Sequence, residues 1–228
     1  DGALNVFIGT GQPLVLGPQS MPLTARPDGY DPASVRVGVA TAAGFVDVTA
    51  SLTGGELGGL LDVQRQVVDP ARRTLGQLSV GLADAVNSQQ RAGMTLSGNL
   101  GSDLFAVGGV QVLANESNAG SGSVAIARAD VSQLTAADYL LEFGGSGWSL
   151  RRADTGAAVA MSGSGTAADP FRADGLEFVV SGAASTGDRF LVRSTFGAAS
   201  GAQALLTDPA SFAAALPVRA AAAAANGG

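Results

Sequence analysis

Residues 53–93 read TGGELGGLLDVQRQVVDPARRTLGQLSVGLADAVNSQQRAG, and this is the single long periodic stretch of the chain. Leu57, Leu61, Val68, Ala71, Leu75, Leu78, Leu82 and Ala85 recur at alternating steps of four and three, with Gln64 and Gln89 completing the register. Such spacing lines apolar residues along one side of a helix, as a seam of coiled-coil type. Thr53 and Glu56 stand at capping-box spacing just before the run. Gly93, free to take a left-handed conformation, marks the stop. The reading is a helix over 54–92, about 60 Å long at ~1.5 Å per residue. Pro70 interrupts it, because a proline inside a helix removes a hydrogen bond and crowds the preceding turn. Asp69-Pro70 also has the form of an N-cap and first helical residue. The expectation is a kink there, or two helices end to end.

Composition narrows what surrounds this helix. The 228 residues suffice for one large domain or two small ones. The chain is rich in Ala and Gly and poor in charge and aromatics; it has no Cys, His or Lys, so all thirteen basic residues are Arg. A net charge of −6 and an isoelectric point near 4.5 argue against nucleic acid or an anionic membrane as partner. Lack of Cys removes disulfides and thiolate metal sites. No apolar run approaches the ~18 residues of a membrane span. The chain opens at Asp1-Gly2 and closes on Asn226-Gly227-Gly228, as a piece cut from a longer protein.

Upstream of the helix, Leu4–Ile8 and Pro13–Leu16 flank Gly9-Thr10-Gly11-Gln12, the pattern of a hairpin. Pro18, Pro22, Pro27 and Pro32 break the next stretch into turns and edge strands. Val35–Val39 and Phe45–Val48 are short strands. Downstream, 96–103 is a Gly-Ser-Asn loop, and from Leu104 to Arg193 turn signals recur about every 8–12 residues, an all-β rhythm. Strands are expected at Val110–Ala114, Ser123–Ala127, Tyr139–Phe143, Trp148–Arg152, Ala157–Met161, Leu176–Ser181 and Arg189–Arg193, with one helical turn within Asp130–Ala137. After Thr195 the chain turns Ala-rich. Asp208-Pro209 predicts a short helix to Leu216, and Ala220–Ala225 has high helix propensity.

Little catalytic chemistry is available. Without His and Lys, most general-base, Schiff-base and phosphate-binding lysine mechanisms are closed. Paired carboxylates remain, drawn from Asp103, Glu116, Asp130, Asp138, Glu142, Asp154, Asp169, Asp174, Glu177 and Asp188. They stand singly at strand ends and in turns, where Asp is favoured for local hydrogen bonds. Gly9-Thr10-Gly11 lacks the following helix that a nucleotide loop needs. Gly101-Ser102-Asp103 matches a Ca²⁺ repeat only once, whereas such sites need stacked copies. We expect no enzyme activity, cofactor or metal. The helix seam of Leu57, Leu61, Val68, Leu75, Leu78 and Leu82 fits an ordinary core stripe as well as a partner surface. Its length, with so few other helices to cover it, favours packing against helices outside this chain.

Three groups of residues resemble the flagellar hook-associated protein 1 family. The first is Leu4-Asn5-Val6-Phe7-Ile8-Gly9-Thr10-Gly11-Gln12-Pro13-Leu14-Val15. The second is Gly54-Gly55-Glu56-Leu57-Gly58-Gly59-Leu60-Leu61, with Val68-Asp69-Pro70-Ala71, Leu75-Gly76-Gln77-Leu78, and Leu82 to Gln90 followed by Gly93. The third is Ala137-Asp138-Tyr139, Gly175-Leu176 and Gly187 to Arg193. The family usually has a His near Gln90, and this chain has none. The third group is less specific, since Gly-Asp-x-Phe recurs in other flagellar axial proteins.

The resemblance implies an α+β protein: a rod-domain segment over 1–103 with β-hairpins and the long helix 54–92, a separate mostly-β outer domain over 104–195, and an Ala-rich helical return over 196–228. It implies a structural subunit that joins hook to filament and is exported through the flagellar secretion channel to the cell exterior. Its partners would be other copies of itself, neighbouring hook and junction proteins and an export chaperone. The alternative from another class is a β-rich binding module of a secreted adhesin, which the long seam beside the sheet disfavours.

Overall fold

A computed structural model describes residues 4–9, 11–41 and 44–215. Its backbone is one helical run: α1 (Gly55–Val63), a π-turn (Gln64–Val68) and α2 (Asp69–Ala92) follow without a break. The expected kink or pair of helices is thus replaced by a third solution. Pro70 has no N–H for the Gln66 carbonyl, and its ring presses on that turn. Widening the turn relieves the crowding, and the Asp69 N–H instead reaches five residues back to the Gln64 carbonyl.

Both helix ends differ from the sequence reading. The N-cap is Gly54, extended at φ −140°, and the chain enters through Gly55 at φ +67°, which glycine takes without strain. Thr53 lies outside and caps nothing, although Glu56 in the first turn still suits the helix dipole. Gly93 is extended at φ −91°, ψ 173°, not left-handed. Its glycine serves proximity instead, since a Cβ there would sit 2.3 Å from the Ala213 carbonyl oxygen.

The N-terminal hairpins form two small antiparallel sheets. β1 (Val6–Ile8), β2 (Gln12–Leu16) and β3 (Gln19–Ser20) make one; β4 (Leu23–Pro27), β5 (Val35–Thr41) and β6 (Gly44–Asp47) make the other. They close over a core of Val39, Val48 and Leu52, against which Ile8, Leu14, Met21, Val37 and Leu61 pack. Thr49 staples this unit, its hydroxyl accepting from the Val37 N–H (2.8 Å) and donating to the Val37 carbonyl (3.1 Å).

The β-rich stretch opens with β7 (Phe105–Ala106) and β8 (Gln111–Ala114), then β9 (Ser123–Arg128), β10 (Asp138–Phe143), β11 (Trp148–Arg152), β12 (Ala158–Val159), β13 (Phe171–Ala173), β14 (Leu176–Ser181) and β15 (Arg189–Arg193). A five-stranded sheet in the order β12-β11-β10-β15-β8 faces a three-stranded sheet β13-β14-β9. Alternation drives the packing: Tyr139 and Leu141, Leu176 and Phe178, and Phe190 and Val192 point inward at every second position and are almost wholly buried. The helix contributes Val80 to the same core. One of the strands absent from the sequence reading, β13, pairs with β14 across Asp174-Gly175, both at positive φ, the geometry of a primed two-residue turn.

The chain returns through β16 (Gln203–Ala204), paired with β7. Beyond it the expected helix to Leu216 shrinks, among the described residues, to one 3-10 turn, Pro209–Ser211, capped by the Asp208 carboxylate through the Ala210 N–H. The backbone that a helix would have used is spent elsewhere: the Ala213 N–H donates to the Gln90 side chain, and Ala215 bridges to Met94. Leu216 and the run Ala220–Ala225 lie outside the described residues.

Candidate assembly surface

α2 has two faces, and both follow the four-three rhythm. The inner one is Gly76, Val80, Ala83, Asn87 and Gln90, all buried. Gly76 lets the helix touch the returning chain backbone to backbone, for a Cβ there would lie 1.8 Å from the Thr195 carbonyl oxygen. Arg73 pairs with Asp138 of β10 at 3.3 Å, and the Gln77 amide donates to the Leu134 carbonyl at 2.6 Å. Asn87 satisfies three backbone groups at once, accepting from the N–H groups of Leu104 and Phe105 and donating to the Phe105 carbonyl. Gln90 does the same for Ser211 and Ala213.

The outer face is the seam read from the sequence. Leu75, Leu78 and Leu82 are 57, 65 and 66% exposed. Among the described residues no neighbour buries them; the residues that hold the helix to the rest of the molecule are the smaller and more polar set. At about 100° per residue the two faces are roughly a third of a turn or more apart. Among the described residues the helix therefore presents its more apolar side to solvent.

The π-turn corrects the upper half of the seam. A π-turn takes up about one residue more per turn than an α-turn, so the apolar stripe changes phase across it. Leu61, expected in line with Leu75, is rotated onto the hairpin core beside Val39 and Val48. Leu57 and Val68 are correspondingly less exposed than the leucines of α2. The outward stripe is continued instead by Val63 and Val67, 53 and 58% exposed. Val63, Val67, Ala71, Leu75, Leu78 and Leu82 then make one line, stepping by four across the wide turn and by four and three beyond it. No sequence signal other than Asp69-Pro70 marks this shift.

The acidic residues do structural work. Glu116 pairs with Arg36, Asp138 with Arg73, Glu142 with Arg189, Asp154 with Arg152, Glu177 with Arg172, and Asp103 with Arg91. Asp188 is buried and accepts from the N–H groups of Ser185, Ala119 and Gly120, which hold its carboxyl below the usual range. Asp174 accepts from the buried Tyr139 hydroxyl at 2.7 Å. Arg193 holds the Asp31 carboxyl low through a 2.8 Å hydrogen bond. Asp138 goes the other way: burial pushes its carboxyl up, against the pull of Arg73 and Arg193. Among the described residues, no three His, Cys, Asp or Glu side chains converge as a metal site, and no helix is long and apolar enough to cross a membrane.

Sequence comparison matches two family models. Residues 1–105 match the helical domain of flagellar hook-associated protein FlgK, and residues 113–194 match the D2-like domain of flagellar hook-associated protein 1. The chain belongs to the flagellar hook-associated protein 1 family. It is 32% identical to flagellar hook-associated protein 1 of Escherichia coli K12 over 214 residues, which is 93% of this chain and 39% of that protein. It is 34% identical over 195 residues to the protein of the same name from Salmonella typhimurium, covering 84% of this chain and 35% of the relative. The flagellar hook junction protein FlgK from Burkholderia pseudomallei superposes with a TM-score of 0.84 at 35% identity, over 93% of this chain and 40% of that one. The chain thus spans about two fifths of the length of these relatives. The adhesin alternative is set aside by this membership.

Proposed function

We propose that the protein is a structural, non-catalytic subunit joining the flagellar hook to the filament, and that residues 1–103 carry the joint. The observation behind this reading is the outward apolar stripe of α2. A line of leucines left in water is costly, at roughly 25 cal/mol per Å². The relatives have more than half their length outside the region matched here. Helices from that remainder are the natural cover, packing in the four-three register that the stripe offers. The partners on this reading are further copies of the protein, neighbouring hook and junction subunits, and an export chaperone. The place of action is the flagellum outside the cell, reached through the flagellar export channel.

Residues 104–195 are, on the same reading, an outward-facing β-domain inserted between two parts of the rod, and 196–228 is the return. The domain leans on α2 through little apolar surface: of the helix residues, only Val80 enters its core. Its removal therefore uncovers mainly small and polar groups on the helix. In the full-length protein, replacing 104–195 with a short Gly-Ser linker should leave hooks able to gain filaments, because loop length adds little closure entropy. Leu75→Asp with Leu78→Asp should leave bald hooks. Filaments per cell, counted by electron microscopy in a strain lacking the native junction protein, decide it. Bald hooks with the linker variant despite normal export would make the β-domain part of the joint, against this reading.

A further inference from the structure

We infer that the molecule is two bodies hinged at the π-turn Gln64–Val68 and latched across a cleft, among the described residues, mainly by charged and polar contacts. The first body is the hairpin unit with α1; the second is α2 with the β-rich stretch. The assignment follows from where apolar packing occurs. Among the described residues, the two hydrophobic clusters share no member. The helix residue packed on the hairpin core, Leu61, precedes the π-turn, and the one packed in the sheet core, Val80, follows it.

Between the bodies lies an open cleft of about 1000 Å³. Leu60 and Gln64 line it from the first half of the helix, Arg72 from the second, Ser34 from the hairpins, and Val112 from the sheet edge β8. The π-turn therefore sits at the cleft's root. Its ladder is altered where a hinge would lie: Pro70 supplies no N–H and the Asp69 N–H bonds five residues back, leaving the Gln64 to Asp69 side-chain bond of 2.6 Å to tie the turn from outside.

The contacts that close the far side are charged or polar. Arg193 of β15 bonds Asp31 at 2.8 Å. Arg36 of β5 meets Glu116 at 3.4 Å, and the Glu116 N–H donates to the Gly29 carbonyl at 2.8 Å. Tyr30 lies against Asn115 in the same seam. Arg193 is itself braced within the second body, where it and Arg72 both stack on the Phe196 ring, at 4.6 and 4.4 Å from its centroid. The Arg36–Glu116 pair is open to solvent and contributes little net stability, the Arg193–Asp31 pair is better covered, and neither brings the shared apolar burial that would weld the bodies together. The latch therefore sets one angle between hairpins and sheet through charge, and that angle yields when the charges are removed or screened, while each body keeps its own core. An angle that yields in this way is a property of the fold and does not depend on what the assembly surface binds.

The test uses the full-length protein. This stretch contains no Cys, so spin labels at Ala25→Cys and Ala157→Cys, with other cysteines of the protein replaced, report the distance between bodies. Labels at Asp84→Cys and Ala157→Cys report within the second body. The parent should give one narrow distance for each pair. Asp31→Asn with Glu116→Gln should broaden or lengthen the first and leave the second narrow. A first distance that stays as narrow as the parent's overturns the proposal. Should the second pair also broaden, the variant has unfolded and the parent decides: raising salt from about 0.05 M to about 1 M, which shortens the screening length severalfold, must broaden the first distance. A salt-independent narrow first distance then overturns the hinge.

Discussion

The two faces of α2 share a rhythm and differ in everything else. The inner face is glycine, alanine, a single valine and two amides, and it is buried; the outer face is leucine, and it is exposed. Hydrophobicity alone would assign them the other way round. The inner face instead works by close approach and by satisfying backbone groups. Gly76 brings the helix onto the Thr195 carbonyl, and Asn87 and Gln90 occupy the polar atoms of the crossing chains, which would otherwise be buried without partners. On the proposed reading, a helix with one face built for its own chain and another, greasier one left over is built to be covered twice.

The sharpest way to break this contrast is to give the inner face a side chain. Gly76→Val drives a branched group into the Thr195 carbonyl, and urea unfolding should record a loss of about 3 kcal/mol or more. The matching change away from the inner face, Gly81→Val, meets open space, so its midpoint should scarcely move. Next in size is Asn87→Leu. It is more hydrophobic than the parent, yet it strands the Leu104 and Phe105 N–H groups, and we expect a loss of about 2 kcal/mol or more. A gain in stability would mean that the inner face is an apolar contact after all.

A smaller effect tests the Arg73–Asp138 tie. Burial raises the Asp138 carboxyl in the fold above its unfolded value, so the folded chain binds more protons than the unfolded one in that window. The contribution of Asp138 is therefore greatest below the ordinary carboxylate range and declines as pH rises through the raised value. The stability advantage of the parent over Asp138→Asn should shrink along that climb. Asp31, held low by Arg193, has the opposite sign: its contribution is present above the unfolded value and fades as pH falls through the folded one. If both variants lost or kept their difference in the same direction with pH, the electrostatics assigned here would be wrong.

Much of this was legible in the sequence, for identifiable reasons. The strands Trp148–Arg152, Leu176–Ser181 and Arg189–Arg193 sit where alternation and turn residues put them. The helix is where its period put it. What escaped was set by contacts at long range. Phe171–Ala173 is a strand only because Leu176 to Phe178 lies beside it. The helix expected after Pro209 gave way to the pull of Gln90 and Met94, more than a hundred residues upstream. The period puts Leu75, Leu78 and Leu82 on one face, but it joins Leu57 and Leu61 to them by a register that the π-turn breaks. The inner face leaves no mark in the hydrophobic period, because glycine, asparagine and glutamine carry no hydrophobic signal.

The central claim is that the outer face is covered by helices beyond this chain. Leu75→Asp with Leu78→Asp measures it most directly, made both in the 228-residue chain and in the full-length protein, with urea midpoints taken for each. In the short chain the carboxylates stand in water, and stability should stay within about 0.5 kcal/mol of the parent. In the full-length protein two charges enter a packed helix interface, and the loss should reach several kcal/mol, above the ~2–5 kcal/mol of truncating one core leucine. A large loss in the short chain, or no loss in the full-length protein, would contradict the account.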